Sequence, residues 1–238
     1  MNDFSEHPDS PYLNNQQALQ SLELEQQILI QCGCEVGAMV ITEVGLFHCW
    51  ALLNSLPPLS GVLQRLRKTY QIYLTLGKLL AEFEHQGVII TPRLPVPEHG
   101  SLDLLVRFPL PPKKVNFAIA LRTKGHSKVV YHEQKDMLFL RRRGGLKRWE
   151  PDHLQRLPMQ EFWLRNHQIE LFGQSSKDKN RPLIKLLVLT GTATLGHHPD
   201  HLYAHVGNER VLLIRRRSST YILQEQQLIP FIHAWLQE

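Results

Sequence analysis

Apolar residues recur at helical spacing in the first third of the chain. Residues 14–30 begin with an asparagine at a capping position, and residues 36–56 form a long apolar stretch. Two helices are therefore predicted there. Pro57 and Pro58 predict the end of the second helix. A third helix is predicted over residues 60–87, because its apolar stripe ends at a glycine. Residues 1–13, with two prolines and few apolar side chains, predict a disordered lead.

Beyond Gly87 the pattern becomes that of strands separated by turns. Apolar runs at 88–96, 102–108 and 115–123 predict three successive strands, and residues 128–145 predict one or two more before a Gly-Gly turn. Residues 158–172 predict a helix opened by Pro158, and residues 183–191, 209–217 and 220–224 predict three further strands. A last helix is predicted over 226–236. This succession favours an α/β fold with an N-terminal helical extension, divided into 1–13, 14–58 and 59–238.

Charge is distributed unevenly along the chain. Residues 1–64 contain seven acids and no lysine or arginine, a net charge of −7, whereas residues 65–238 contain 27 bases and 15 acids, a net charge of +12. A basic body favours a polyanionic partner, and an acidic extension favours a basic partner or the body itself.

The cysteines and the N-terminus indicate a cellular compartment. Three cysteines are too few for a disulfide scaffold and fit a reducing environment. The early sequence lacks the positive charge that a secretory signal needs, and charged residues and glycines interrupt the apolar stretch from 28 to 56. We therefore expect a soluble cytoplasmic protein with no membrane contact.

The predicted elements carry six short segments in a fixed order: Leu76-Gly77-Lys78, Gly100-Ser101-Leu102-Asp103, Phe117 to Gly125, Met159-Gln160-Glu161, Leu187 to Gly191 and Leu228 to Ile232. Over residues 74–236 this order resembles the restriction-endonuclease-like, or PD-(D/E)XK, superfamily, and within it the nuclease-related-domain (NERD-like) group. The resemblance implies a restriction-endonuclease-like core, in which helices flank a central mixed sheet.

The resemblance also implies a phosphodiester-cleaving site, from which this chain departs. In the superfamily two carboxylates and a backbone carbonyl hold Mg²⁺, and a lysine aligns or deprotonates the attacking water. Asp103 stands at one carboxylate position, but the glutamate of Glu-x-Lys falls on Ala120, its lysine on Arg122, and the helix glutamate on Lys78. The site is therefore expected to be vestigial, with no catalytic residue, no metal, no cofactor and no nuclease activity.

Strand alternation predicts how these side chains are arranged. Ala120, Arg122 and Lys124 share one face of the third strand, and Asp103 lies on the second strand. We expect residues 101–107 and 115–122 to pair, with Asp103 near Arg122. Cations in this position repel Mg²⁺ but can contact a phosphate directly, so Lys78, Arg122 and Lys124 are predicted to bind nucleic acid.

Two other interpretations of Asp103 stay open. Asp103 and Arg122 can form a structural ion pair between neighbouring strands. A relocated acid can also restore cleavage, and the candidates are Glu82, Glu84 and Glu133.

A basic turn ending in tryptophan is the second candidate nucleic-acid contact. Its cations suit phosphate contact and Trp149 suits base stacking, although a solvated hairpin has the same composition. The cations predicted to bind nucleic acid here are Arg141, Arg142, Arg143, Lys147 and Arg148.

Two further clusters have the composition of metal sites. Irregular spacing and a proline argue against zinc in the first, and buried thiols on packed helices are the more common explanation of the second. The first consists of His197, His198, Asp200, His201 and His205, and the second of Cys32, Cys34, His48 and Cys49.

These observations favour a catalytically inactive nuclease-fold protein that binds nucleic acid, DNA in preference to RNA, inside a nucleic-acid-processing, mobile-element or defence complex. The placement in such a complex rests on analogy alone. One alternative is an Mg²⁺-dependent endonuclease with a rearranged site. The other is a protein-interaction subunit with no nucleic-acid contact. Under the main hypothesis as well as the alternatives, residues 14–58 are expected to contact a protein partner.

Overall fold

The computed structural model describes residues 14–44, 57–111, 114–172, 181–215 and 218–237. The chain divides into two compact units, Met1–Lys78 and Leu79–Glu238. This division lies inside a helix, farther along the chain than the boundary at residue 58 suggested by the sequence, which stays a prediction.

The first unit contains helix α1 (Asn15–Val44) and most of helix α2 (Pro57–Phe83). Asn14 caps α1, because its Oδ1 accepts the backbone N–H of Gln17 at 2.8 Å. The predicted break after residue 30 is wrong, since α1 continues through Gly33. A glycine costs about 1 kcal/mol inside a helix but does not end it by itself. Residues 45–56, the end of the second predicted helix, lie outside the described residues.

Helix α2 begins at Pro57, where the sequence predicted a stop. Proline fits the first turn of a helix, because the N–H that it lacks has no partner there. The predicted end is confirmed: a 3₁₀ turn (Glu84–Gln86) follows Phe83, and Gly87 then adopts a left-handed conformation with φ 68°. Within the first unit, Tyr73 donates its hydroxyl to Glu23 Oε1 at 2.9 Å, and this bond and the carboxylate charge raise the pKa of Tyr73.

The second unit is built on a seven-stranded mixed sheet. Its strands are β1 (Ile89–Val96), β2 (Gly100–Phe108), β3 (Val115–Thr123), β7 (Leu183–Thr190), β9 (Tyr203–Val206), β10 (Glu209–Ile214) and β11 (Thr220–Gln224). Their order in the sheet is β1-β2-β3-β7-β11-β10-β9, in which β3, β7 and β11 are parallel neighbours and the other pairs are antiparallel. The predicted pairing of the second and third strands is confirmed.

Apolar packing covers one face of this sheet. Phe83 meets Phe108 edge to face with ring centroids 5.4 Å apart, and Phe108 meets Phe117 in the same way at 5.9 Å. The last helix, α5 (Leu228–Gln237), joins this layer through His233, which lies 4.6 Å from the Phe83 ring. Each of these phenylalanines is at most 3% exposed, and burying such a side chain contributes about 2–3 kcal/mol.

Helix α3 (His153–His167) covers the opposite face and is followed by the short helix α4 (Ile169–Phe172). The predicted start at Pro158 is wrong, because Asp152 caps a helix that begins five residues earlier. The Asp152 carboxylate accepts the N–H groups of Leu154 and Gln155. Glu161 on α3 pairs with Lys185 on β7 and, at 2.9 Å, with Arg165, which fastens the helix to the sheet.

A four-stranded sheet of order β6-β5-β4-β8 follows the end of β3. Strands β4 (Lys128–His132) and β5 (Met137–Arg142) lie in the segment where one or two strands were predicted. Strands β6 (Gly145–Arg148), β8 (Thr194–Leu195) and β9 were not anticipated; β6 and β8 are short, and β6 is exposed along its length.

Among the described residues, no helix combines the length and hydropathy needed to span a membrane.

Candidate nucleic-acid interface

The central feature of the candidate site is the junction of β2 and β3. Leu104 on β2 pairs with Ile119 on β3, at the end of the paired region of the two strands. The next residues, Asp103 and Ala120, therefore lie beside each other. Ala120 is 3% exposed and offers only a methyl group at this position. The prediction that Asp103 and Arg122 lie on adjacent strands is confirmed.

Asp103 is held by donors of the protein itself. Its Oδ2 accepts the guanidinium of Arg122 at 2.5 Å and the backbone N–H of Leu121 at 2.7 Å. The side chain of Asp103 is 6% exposed and that of Arg122 is 15% exposed. Arg122 also donates through Nε to His153 Nε2 at 3.1 Å and through Nη1 to the carbonyl of Leu121 at 2.6 Å. This is the geometry of a structural ion pair between neighbouring strands.

The three acids that were candidates for a relocated site lie at other places. Glu82 contacts His233 at 2.6 Å, on the sheet face opposite α3, and Glu133 contacts His201 at 3.0 Å. Glu84 is exposed in the 3₁₀ turn after α2. Across the described ranges, no group of three or more His, Cys, Asp or Glu side chains is placed to hold a metal ion.

Arg156 extends the cationic surroundings of Asp103. Its Nε donates to the carbonyl of His99 at 2.8 Å, and a Cβ on Gly100 would collide with its Nη2. Gly100 has φ 72°, a backbone conformation that favours glycine, and the missing Cβ leaves room for the guanidinium of Arg156. Burial and the positive charge of Arg122 lower the pKa of Arg156, while the charge of Asp103 acts in the opposite direction.

Arg156 and His153 were missed by sequence reasoning. Both lie on α3, which the sequence was expected to begin only at Pro158. Recognising Asp152 as a helix cap would have placed them in the first turns of the helix, facing the sheet. Gln160, which belongs to a segment carrying the resemblance, donates to the same His99 carbonyl at 3.0 Å.

Beside the pair formed by Asp103 and Arg122, a pocket of about 490 Å³ opens under the hairpin of β5 and β6. Strand pairing divides the hairpin cations between its two faces. Leu140 pairs with Lys147 and Arg142 with Gly145, so the side chains of Arg142 and Lys147 share the face on which Leu140 is buried. Arg141 pairs with Leu146 on the other face. The pocket is lined by Lys124, Leu140, Arg142, Gly144, Gly145, Leu146, Lys147, Arg148, Trp149 and Glu150.

Lys124 connects the pocket to the pair formed by Asp103 and Arg122. It follows β3 directly, and its Nζ lies 5.8 Å from the centre of the Trp149 ring. Partial burial lowers the pKa of Lys124, and the positive charges of Arg122 and Arg142 lower it further. Cations gathered in this way favour an anion, which would relieve their repulsion.

The predicted stacking role of Trp149 does not fit its environment. Trp149 is 2% exposed, and its ring packs against His153 with centroids 5.0 Å apart while Lys124 lies over it. It therefore forms the floor of the pocket and offers no open face to a base. Its indole N–H is buried without an acceptor among the described residues, which costs about 1–3 kcal/mol.

The remaining predicted cations occupy different positions. Arg143 and Arg148 are exposed, and Arg148 lies 4.0 Å from Glu150. Arg142 is held by a hydrogen bond of 2.7 Å from its Nε to Ser127 Oγ. Lys78 is exposed at the end of the first unit, whereas all the contacts of the site described above lie within the second.

The histidine-rich loop is held by separate contacts and not by a shared centre. His198 is 3% exposed and its Nε2 accepts the backbone N–H of Tyr131 at 2.8 Å. His201 contacts Glu133, and Asp200 pairs with Arg210. The expectation of buried thiols is wrong for Cys32 and Cys34, which are exposed on α1, and residues 48 and 49 lie outside the described residues.

We expect the substitution His198→Gln to reduce the loss of stability in acid. Burial lowers the pKa of His198 below its usual value of about 6.5, so the unfolded chain takes up a proton before the folded chain does. Stability of the wild type is therefore lost as the pH falls below about 6.5. Glutamine keeps an acceptor for Tyr131 without titrating. From about pH 7.5 to about pH 5, the free energy of unfolding in urea should fall by about 1 kcal/mol less in the variant. Identical pH profiles would contradict the prediction.

Comparison with known proteins finds no family model, no curated protein and no solved structure that matches this chain. Its function is therefore inferred from the residues of the site.

Proposed function

We propose that this protein is a catalytically inactive nuclease-fold protein that binds nucleic acid through the pocket under the β5–β6 hairpin. The observation that carries the proposal is the convergence of Lys124, Arg142 and Lys147 on one pocket, next to a carboxylate that is already neutralised by Arg122. Positive charge on a concave surface favours a phosphate backbone.

Topology supports the nuclease-fold part of the proposal. Three antiparallel strands, β1 to β3, are followed, after the intervening strands β4 to β6, by helix α3 and then by β7, which is parallel to β3. This is the order of elements that the sequence resemblance implies. Asp103, the one retained carboxylate position, lies where β2 and β3 meet.

The occupied carboxylate supports the absence of cleavage. Mg²⁺ in a phosphodiester-cleaving site needs oxygen ligands with free lone pairs and neutralises the scissile phosphate. Here Asp103 Oδ2 accepts two protein donors, and Ala120 supplies no oxygen from its side chain. The positive charge of Arg122 lies where the cation would have to bind.

The test combines a cleavage assay with a salt titration. The protein is incubated with plasmid and with single-stranded DNA and RNA, in Mg²⁺ and in Mn²⁺, and we expect no cleavage. Fluorescence anisotropy over a range of salt concentrations should show binding that weakens steeply with salt, because phosphate contacts release counterions. Metal-dependent cleavage abolished by Asp103→Ala would favour an active endonuclease. Absence of binding at about 50 mM salt would contradict nucleic-acid binding.

A protein-interaction role is the second candidate, and the exposed side of α1 favours it. Leu24 and Ile28, one helical turn apart, are 59% and 52% exposed, and Ile30 is 52% exposed. These side chains lie in the acidic extension, whose charge favours a basic protein surface. A protein partner that co-purifies with the wild type but not with the double variant Leu24→Ser, Ile28→Ser would support this role. Nucleic-acid binding should be the same in the wild type and in this variant.

A further inference from the structure

The pocket under the hairpin has the dimensions of a site for a small ligand. Its volume of about 490 Å³ falls within the range of roughly 300–1,000 Å³ that is common for such sites. Leu140 and Trp149 supply an apolar floor, and the cations lie around it. A protein surface that contacts only the continuous phosphate backbone of a nucleic-acid strand has no need of such a floor.

The rim of the pocket is open at Gly144 and Gly145. A Cβ added to either glycine would meet nothing within 4 Å, so no neighbouring side chain covers the backbone there. Gly145 has φ 116°, a conformation that a residue with a side chain rarely adopts. The turn therefore leaves an uncovered entrance beside the cationic side chains.

Charge in the pocket exceeds what its own acid can balance. Glu150 is the acid of the lining, and it lies within 4.0 Å of Arg148. Lys124, Arg142 and Lys147 remain, giving three positive charges around one small volume. A phosphate monoester carries about −1.5 to −2 at neutral pH and presents three acceptor oxygens. An internal phosphodiester carries a single negative charge and cannot enter the pocket without its two flanking sugars.

We infer that this pocket binds a terminal phosphate monoester of a nucleotide, at the end of a single nucleic-acid strand. The inference rests on the proposed function, and it adds that the protein distinguishes a phosphorylated strand end from the interior of a strand. Lys124, Arg142 and Lys147 contact the phosphate above the buried floor formed by Leu140 and Trp149.

The test compares strands that differ only in their end groups. Single-stranded 12-mers of one sequence, with a 5′-phosphate, a 3′-phosphate or hydroxyl groups at both ends, are titrated by fluorescence anisotropy with the label on the opposite end. One of the two phosphorylated ends should strengthen binding by about tenfold or more. Arg142→Gln and Lys147→Gln should each remove most of that gain.

Arg141→Gln is the matched control. Arg141 is adjacent to Arg142 and has the same charge, but it lies on the other face of the hairpin and outside the pocket lining. The gain from the phosphorylated end should persist in this variant. Lys147 is exposed on β6, so its replacement tests the pocket even if Arg142→Gln disturbs the bond to Ser127.

The outcomes separate this inference from the proposed function. Salt-dependent binding with equal affinity for all three strands would overturn the terminal-phosphate site and leave nucleic-acid binding in place. Absence of binding to any strand would overturn the proposed function as well. A nucleoside 5′- or 3′-monophosphate that competes as strongly as the matching strand would show that the monoester site takes a free nucleotide, overturning the strand-end assignment.

Discussion

Replacing Asp103 with asparagine should lower the free energy of unfolding by about 3 kcal/mol. The carboxylate is almost fully buried and accepts both the Arg122 guanidinium and the Leu121 amide. Asparagine preserves the shape of the side chain but removes its charge, so the largely buried guanidinium loses its counter-ion. Urea unfolding of the wild type and the variant measures the difference directly.

Asp200→Asn provides the matched control for this substitution. Asp200 also pairs with an arginine, Arg210, but its side chain is 95% exposed. Solvent screens such a pair, so the free energy of unfolding should change little. A loss of stability no larger for Asp103→Asn than for Asp200→Asn would contradict the structural role of Asp103.

Adding Mg²⁺ to the same measurements tests the alternative of a metal site. A carboxylate that binds Mg²⁺ in the folded state makes the wild type more stable as the metal concentration rises. We expect no such stabilisation at about 10 mM Mg²⁺, because Arg122 already neutralises Asp103. A magnesium-dependent increase that disappears in Asp103→Asn would support a rearranged endonuclease site.

The strands that build the site could be predicted because their pattern is local. Apolar residues run through 102–108 and 115–123, and a two-residue period fixes which side chains share a face. The juxtaposition of Asp103 and Arg122 followed from that period together with antiparallel pairing. The structure has the same arrangement, with β3 at the residues predicted.

The contacts from α3 could not be predicted, because they join residues distant in the sequence. Arg122 meets His153 across 31 residues, and Arg156 meets His99 across 57. Sequence periodicity shows which face of a helix is apolar, but it does not show on which strands of the sheet the helix packs. Pro158 also displaced the predicted start of the helix, since proline is usual in a first turn and here lies in the interior.

The division of the hairpin cations depends on register, which the sequence leaves open. Arg141, Arg142 and Arg143 are consecutive, so composition alone assigns them one role. Pairing of Arg142 with Gly145 directs Arg142 to the pocket and Arg141 away from it. A shift of one residue in this register would exchange the two arginines. The proposed binding surface is accordingly narrower than the basic cluster that the sequence suggests.

Neutralising the pocket should have the largest effect on nucleic-acid binding. In the variant Lys124→Gln, Arg142→Gln, Lys147→Gln, we expect the affinity for single-stranded DNA to fall by about a hundredfold or more at about 0.15 M salt. Each lost phosphate contact should reduce the slope of log affinity against log salt by about 0.7, so the slope should fall by about 2. Fluorescence anisotropy at several salt concentrations gives both quantities.

A control with equal charge change separates local contact from general attraction. Lys128 pairs with Arg141 on the side of the hairpin away from the pocket, and Lys135 lies over the ring of Phe139, which shares that side. The variant Lys128→Gln, Lys135→Gln, Arg141→Gln therefore loses the same three charges outside the pocket lining. It should keep most of the affinity and of the salt slope, because none of these three side chains lines the pocket. Equal losses in the two variants would show that net charge, and not the pocket, attracts the strand. No loss in the pocket variant, with its unfolding in urea unchanged, would show that the hairpin is merely solvated and that the protein-interaction role of α1 is the better account of the chain.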